Sequence, residues 1–285
     1  MKLIDREFVF NPEDFERIRL LIRSRVGIAL SDKKRDLVYS RIARRLRSLG
    51  LRTFSDYLDY LAQEQDEMQD FINALTTNLT SFFREAHHFD FLADQMRQVN
   101  ALGQMRRFTI WSSACSTGEE AYSIAMTAIE TFGSWTPPVK ILATDVDTHV
   151  LAQARQGVYG LERIEKMDVQ RLKAFFLKGK GDRQGSVKIR PEVQALVSFQ
   201  QLNLLAPSWH LRGPFDAIFC RNVMIYFDKP TQYSVLEKFH PLLNESGLLY
   251  AGHSESFQHA ANLFKSKGKT IYQPVRLASN NKVRR

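Results

Sequence analysis

The chain is short of cysteine and glycine and has no long apolar run. Its 285 residues contain two cysteines, Cys115 and Cys220, too few for a disulfide framework and too far apart for a zinc knuckle. No apolar stretch approaches the roughly 18 residues of a membrane span. The opening MKLIDREFVF alternates charge with apolar residues where a secretory signal would carry an apolar h-region. A cytoplasmic location is therefore expected. Acidic residues are nearly missing from one stretch: between Arg17 and Arg52 there are two, Asp32 and Asp36, against twelve arginines and lysines. The whole chain carries +9, so a +10 block at the front is joined to a near-neutral body. Such a block attracts an acidic partner, whether nucleic acid, anionic lipid or a carboxylate-rich protein surface.

What is present is globular. Apolar residues make up 44% and charged residues 25%, enough to bury the cores of about two domains at roughly 150 residues each. Residues 11–75 read as helices. Tyr39, Ile42, Leu46 and Leu49 recur at helical spacing, with Arg41, Arg44 and Arg45 on the opposite face. Gly50 ends that helix, Thr53-Phe-Ser-Asp56 begins the next, and Gln63–Glu67 breaks the bundle from a helix near 68–76. From about residue 106, near-continuous apolar strands are expected at 107–113, 139–144, 196–202, 215–220 and 247–251. Helices are expected at 119–132, 148–155 and 231–243. That alternation predicts an α/β fold whose mostly parallel sheet is covered on both faces. A final antiparallel strand is expected over 264–272, and a glycine-bearing β-hairpin is inserted at about 175–198.

In such a sheet the ligand sits beyond the carboxyl ends of the strands. The first strand is followed by Ser112–Glu120, the second by Asp145, placed to hold the two hydroxyls of a ribose. The loop holds one glycine, Gly118, so it lacks the G-x-G-x-x-G needed for a pyrophosphate, and the chain has no Walker motif. Glu119 and Glu120 at a helix N-terminus would repel phosphate but tolerate the sulfonium and amino group of S-adenosylmethionine. Elimination favours that cofactor over NAD, and Ser116–Glu119 also fits a plain capping box. Gly252-His-Ser-Glu-Ser256 ends in serine and is no nucleophile elbow. His87-His88 brings no ligand cluster with it, so no metal is expected. Cys220 reads as buried filler.

Four strings, Asn73–Glu85 (NALTTNLTSFFRE), Ser116–Glu120, Ala143–Asp147 (ATDVD) and Phe219–Phe227 (FCRNVMIYF), together resemble the chemotaxis-receptor methyltransferases, the CheR family. The resemblance spans essentially the whole chain. It implies a Rossmann-like methyltransferase domain over 91–285, a helical substrate-recognition domain over 1–75 and a cofactor-covering linker over 76–90. It also implies methyl transfer from S-adenosylmethionine to receptor glutamates, leaving S-adenosylhomocysteine. Matched by motif, the cofactor contacts are Asn78, Thr80, Arg84, Glu119, Asp145, Asn203, Leu204, Arg221 and Asn222, with Tyr226 near the methyl donor. The basic face of Arg41, Arg44 and Arg45 then reads as the surface for the receptor's cytoplasmic helices. Gly179, Gly181 and Gly185, with Lys188 and Arg190, resemble a dock for a receptor C-terminal peptide. Glutamate is already ionised at neutral pH, so catalysis is a matter of alignment, with Arg84 steering the carboxylate. A nucleic-acid methyltransferase, for which a basic block is the usual footprint, and a non-catalytic module remain the alternatives. Against the first stands Arg221-Asn-Val-Met-Ile-Tyr226 where an Asn/Asp-Pro-Pro-aromatic string would lie. Neither nucleic acid nor membrane insertion is expected.

Overall fold

The computed structural model describes residues 6–101 and 107–276. Residues 1–5, the first half of the stretch weighed above as a signal segment, lie outside the described residues, as do 102–106 and 277–285. Four helices open the chain: α1 (Pro12–Val26), α2 (Arg35–Leu49), α3 (Phe54–Leu61) and α4 (Gln65–Leu75). Their apolar stripes meet in one core containing Ile18, Ile22, Ile42, Leu46, Phe54, Tyr57 and Phe71. Each such side chain contributes roughly 1.5–3 kcal/mol by leaving water. Thr53 caps α3 as predicted, its hydroxyl accepting the Asp56 N–H at 3.0 Å. The acidic run Gln63–Glu67 is less of a break than predicted, because α4 starts at Gln65 with Asp66 and Glu67 in its first turn. Carboxylates there are favoured by the helix dipole.

Helix α5 (His87–Ala101) leads into an α/β domain with β1 (Phe108–Ser112), α6 (Glu119–Phe132), β2 (Val139–Asp145) and α7 (Thr148–Gln156). A small sheet follows: β3 (Val158–Gly160), α8 (Val169–Phe175), β4 (Phe176–Lys178) and β5 (Ser186–Ile189). The chain then returns through α9 (Pro191–Gln194), β6 (Val197–Gln201), β7 (Phe215–Cys220), α10 (Lys229–Phe239), β8 (Leu243–Ala251), β9 (Phe264–Gly268) and β10 (Ile271–Pro274). The main sheet runs β6-β2-β1-β7-β8-β10-β9. Its first five strands are parallel, and β10 and β9 are antiparallel. Alternate residues of β7 enter different cores, Ala217 and Phe219 one face, Ile218 and Cys220 the other. This is why the strand reads as unbroken apolar sequence. The single last strand expected over 264–272 is a hairpin, turning at Lys269 and Thr270.

The inserted hairpin is there as β4 and β5, and β3 joins it from before the expected boundary to make a three-stranded antiparallel sheet, β3-β5-β4. Three residues were too few to show alternation. Order reverses at β1, which has β2 on one side and β7 on the other. That switch point opens a crevice beyond the strand ends. Among the described residues, no helix is long and apolar enough to cross a membrane.

Candidate cofactor and methyl-transfer site

The crevice is an open cleft of about 930 Å³ including its mouth. Asp145 ends β2 at its floor, mostly buried. One carboxylate oxygen accepts the Ser116 N–H at 2.8 Å and the other the Asp147 N–H at 3.0 Å. Burial pushes its pKa up to about 6, against the pull of those backbone hydrogen bonds. Both oxygens keep lone pairs for further donors. Asp147 caps α7 through the N–H groups of His149 and Val150. Its other oxygen accepts from Thr76 at 2.6 Å and Asn78 at 2.8 Å, so this strand end anchors the linker.

Asn78, Thr80 and Arg84 all line the cleft. The Asn78 carbonyl accepts from the Ser116 hydroxyl at 3.0 Å. Arg84, half-buried, donates through Nη1 to the Leu79 carbonyl at 3.0 Å, which curls the linker on itself. After β7, Arg221 is buried; its Nη1 donates to Glu120 at 3.0 Å and its Nη2 to the Arg84 carbonyl. Asn222 is left-handed, φ 59°, and lines the cleft with Arg221 and Tyr226. After β6, Asn203 and buried Leu204 form another wall. Lys238 holds that loop by donating to the carbonyls of Leu204 at 2.9 Å and Ala206 at 2.8 Å.

Glu119 departs from the expectation. It faces the small sheet, where its carboxylate is held by Arg163 and by the Thr117 hydroxyl, and it does not line the cleft. Its neighbour Glu120 does, bonded to Ser112 at 2.7 Å as well as to Arg221. Adjacent helical residues point about 100° apart, so a motif ending in two glutamates does not say which one turns inward.

The arginine face departs too. Arg41 donates to the carbonyls of Ala74 at 3.2 Å and Thr76 at 2.5 Å, tying α2 to the start of the linker. Arg45 forms a two-pronged pair with Glu67, at 2.9 and 2.5 Å, and reaches Asp70 at 2.7 Å. Only Arg44 of the three is exposed. Elsewhere in the block Arg17, Arg19, Arg23 and Arg47 pair with Asp59, Glu16, Asp228 and Glu7. All these acids but one lie far away in sequence, so a local charge count could not register them.

In the small sheet, Gly181 and Gly185 hold φ of 58° and 88°. A Cβ on Gly179 would stand 2.0 Å from the Arg183 carbonyl oxygen. These glycines shape the β4–β5 turn. Lys188 is exposed on the central strand and Arg190 half-buried just after it, so the free edges are β3 and β4.

Sequence reasoning missed the wall supplied by the helical domain. Val26 and Ile28 line the cleft, held by Asn203 donating to the Arg25 carbonyl at 2.7 Å and Ala29 N–H donating to the Tyr226 carbonyl at 3.0 Å. Between them Gly27 has φ 75°, and a Cβ there would meet Leu205 Cδ1 at 2.8 Å and Phe227 Cδ1 at 3.0 Å. Gly27→Ala is expected to cost roughly 1–3 kcal/mol through backbone strain and overpacking, and to weaken cofactor binding. Thermal unfolding and cofactor titration of the variant check both effects. The glycine between two apolar residues after a basic helix was the available signal.

Glu85 joins His87 and His88, with ligand atoms within 4.8 Å of one another. This corrects the expectation that the histidine pair has no ligand cluster. Arg221, 3.5 Å from Glu85, opposes a dication there.

A parallel sheet with a carboxylate after its second strand and a short, glycine-poor turn after its first defines a nucleoside-cofactor enzyme of the Rossmann-like methyltransferase class. Residues 13–76 match the all-alpha domain of the CheR methyltransferases, and residues 78–273 their SAM-binding domain. The chain belongs to the CheR methyltransferase family, and S-adenosylmethionine is its cofactor. It is 53% identical over 271 residues to chemotaxis protein methyltransferase 2 of Pseudomonas aeruginosa, covering 95% of this chain and 96% of that one. To the chemotaxis protein methyltransferase of Escherichia coli K12 it is 51% identical over 260 residues, covering 90% and 89%.

Proposed function

We propose that the protein transfers the methyl group of S-adenosylmethionine to glutamate side chains on the cytoplasmic helices of chemotaxis receptors, giving glutamyl methyl esters. The observation that carries this reading is that Arg84 and Tyr226 both line a cleft whose carboxylates are already engaged by protein donors. Glu120 is spent on Arg221 and Ser112, and each Asp145 oxygen already accepts a backbone N–H. A substrate carboxylate needs no base, since it arrives ionised. A nucleic-acid amine or hydroxyl lacks that advantage.

Asp145 would hold the ribose, and Leu204 with Val26 and Ile28 would enclose the adenine. When bound, the cofactor supplies an electrophilic methyl with its own leaving group. Arg84 offers the incoming carboxylate a two-pronged guanidinium, which must orient without over-stabilising the ground state. Tyr226 lines the channel and keeps the approach in line. The linker and the Val26–Ile28 wall exclude water from the reacting pair. Of the three arginines on that face, Arg44 is the exposed one available to guide acidic helices, while Arg41 and Arg45 act through the fold. A receptor C-terminal peptide would add as a strand to an open edge of the small sheet, raising local substrate concentration.

Arg84→Ala is expected to lower kcat about a hundredfold, in the range for losing an oriented charged contact, with a smaller rise in KM for a receptor fragment. The readout is base-released methanol from labelled donor. Unchanged turnover would remove Arg84 from this role.

A further inference from the structure

The segment excluded above as a nucleophile elbow, Gly252–Ser256, has a different use. It follows β8 and lies beside the loop after β7. The Glu255 carboxylate, buried, accepts the N–H of Gly252 at 2.6 Å and of Asn222 at 3.0 Å. It thereby holds Asn222 in its left-handed conformation, and a Cβ on Gly252 would stand 2.4 Å from Asn222 Nδ2. The same turn grips the linker. Glu85 Oε1 accepts the His253 N–H at 3.2 Å and faces the His253 ring nitrogen at 3.2 Å. Glu85 Oε2 lies 3.5 Å from Arg221 Nη2, the atom that also donates to the Arg84 carbonyl.

Two carboxylates thus share one guanidinium, Glu120 from the cleft and Glu85 from the linker. Phe83 and Glu85, on either side of Arg84, both have positive φ, 51° and 58°. Such backbone persists only where surrounding contacts over-determine it. His88, fully buried, faces Lys269 carbonyl and Thr270 through Nε2, at 3.0 and 3.2 Å, and pins the start of α5 just behind this point.

We propose that Glu85 is a positioning residue, acting through Arg221 and the 252–255 turn to hold the cofactor-covering linker closed with Arg84 facing the cleft. Glu85 itself does not line the cleft. Its carboxylate stays ionised although burial opposes that, because Arg221 and the His253 hydrogen bonds hold its pKa below the usual range. The latch is therefore set throughout the neutral range.

The inference rests on the cleft holding the cofactor, which titration of the wild-type protein with S-adenosylhomocysteine tests by itself. Glu85→Gln keeps the acceptor for His253 but removes the charge facing Arg221. It is expected to raise the KM for S-adenosylmethionine about tenfold, the scale of one charge-assisted contact, with a smaller rise in the KM for receptor fragment as Arg84 loosens, and Glu85→Asp intermediate. A second measurement needs no variant: binding of S-adenosylhomocysteine to the wild type should slow amide exchange at His253, which lies outside the cleft lining. A Glu85→Gln enzyme whose cofactor KM stays within about twofold, or whose receptor-fragment KM rises while the cofactor KM does not, overturns the proposal. So does His253 exchange that binding leaves unchanged.

Discussion

Asp145→Asn is expected to weaken S-adenosylmethionine binding about a hundredfold, roughly 2.7 kcal/mol, as ribose hydroxyls lose a charged acceptor. The fold should tolerate it, since an amide oxygen can still accept one of the two backbone N–H groups. The wild type should also show a pH signature. Burial raises the Asp145 pKa to about 6, and in the proposed mode of binding it is the ionised form that holds the ribose. Below that pH a proton must leave before the cofactor binds, so affinity should fall about tenfold per pH unit. Above it affinity should level off. Calorimetric titration between pH 5 and 8 reads the effect, and Asp145→Asn should flatten this dependence. A wild-type affinity independent of pH across that window would mean that another group holds the ribose.

Glu67→Ala should be strongly damaging to the helical domain, costing about 3 kcal/mol. Glu67 is 6% exposed and is shared by Arg45 and by the Tyr57 hydroxyl at 2.7 Å. Its removal leaves the fully buried Tyr57 hydroxyl without that acceptor and Arg45 with Asp70 alone. Exposed Arg44, on the same helix, should change stability by no more than about 0.5 kcal/mol when truncated. Urea unfolding followed by far-ultraviolet circular dichroism separates the two, and equal effects would put the charge pair at the surface.

That contrast shows where the sequence was legible. Helical periodicity placed Tyr39, Ile42, Leu46 and Leu49 toward a core and the arginines away from it. It could not foresee that α4 packs beside α2 and delivers Glu67 and Asp70 to Arg45. A basic face in sequence became mostly internal ion pairs and carbonyl contacts. The sheet was easier, since strands buried on both faces carry their signal locally, and Asp145 at the end of one of them marks the site without tertiary knowledge. Glu119 and Glu120 show the opposite case. One helical step decides between the small sheet and the cleft, and that step depends on where α6 docks. The wall from Val26 to Ile28 was hidden for the same reason, because it exists only where two domains meet.

The most direct test is to incubate the protein with labelled S-adenosylmethionine and cytoplasmic receptor fragments, then map the label by peptide mass spectrometry. The expected result is methyl groups on glutamate carboxylates, released by mild base, with nucleic acid unlabelled. Methyl groups on RNA or DNA, or base-stable methyl groups on protein nitrogen, would contradict it.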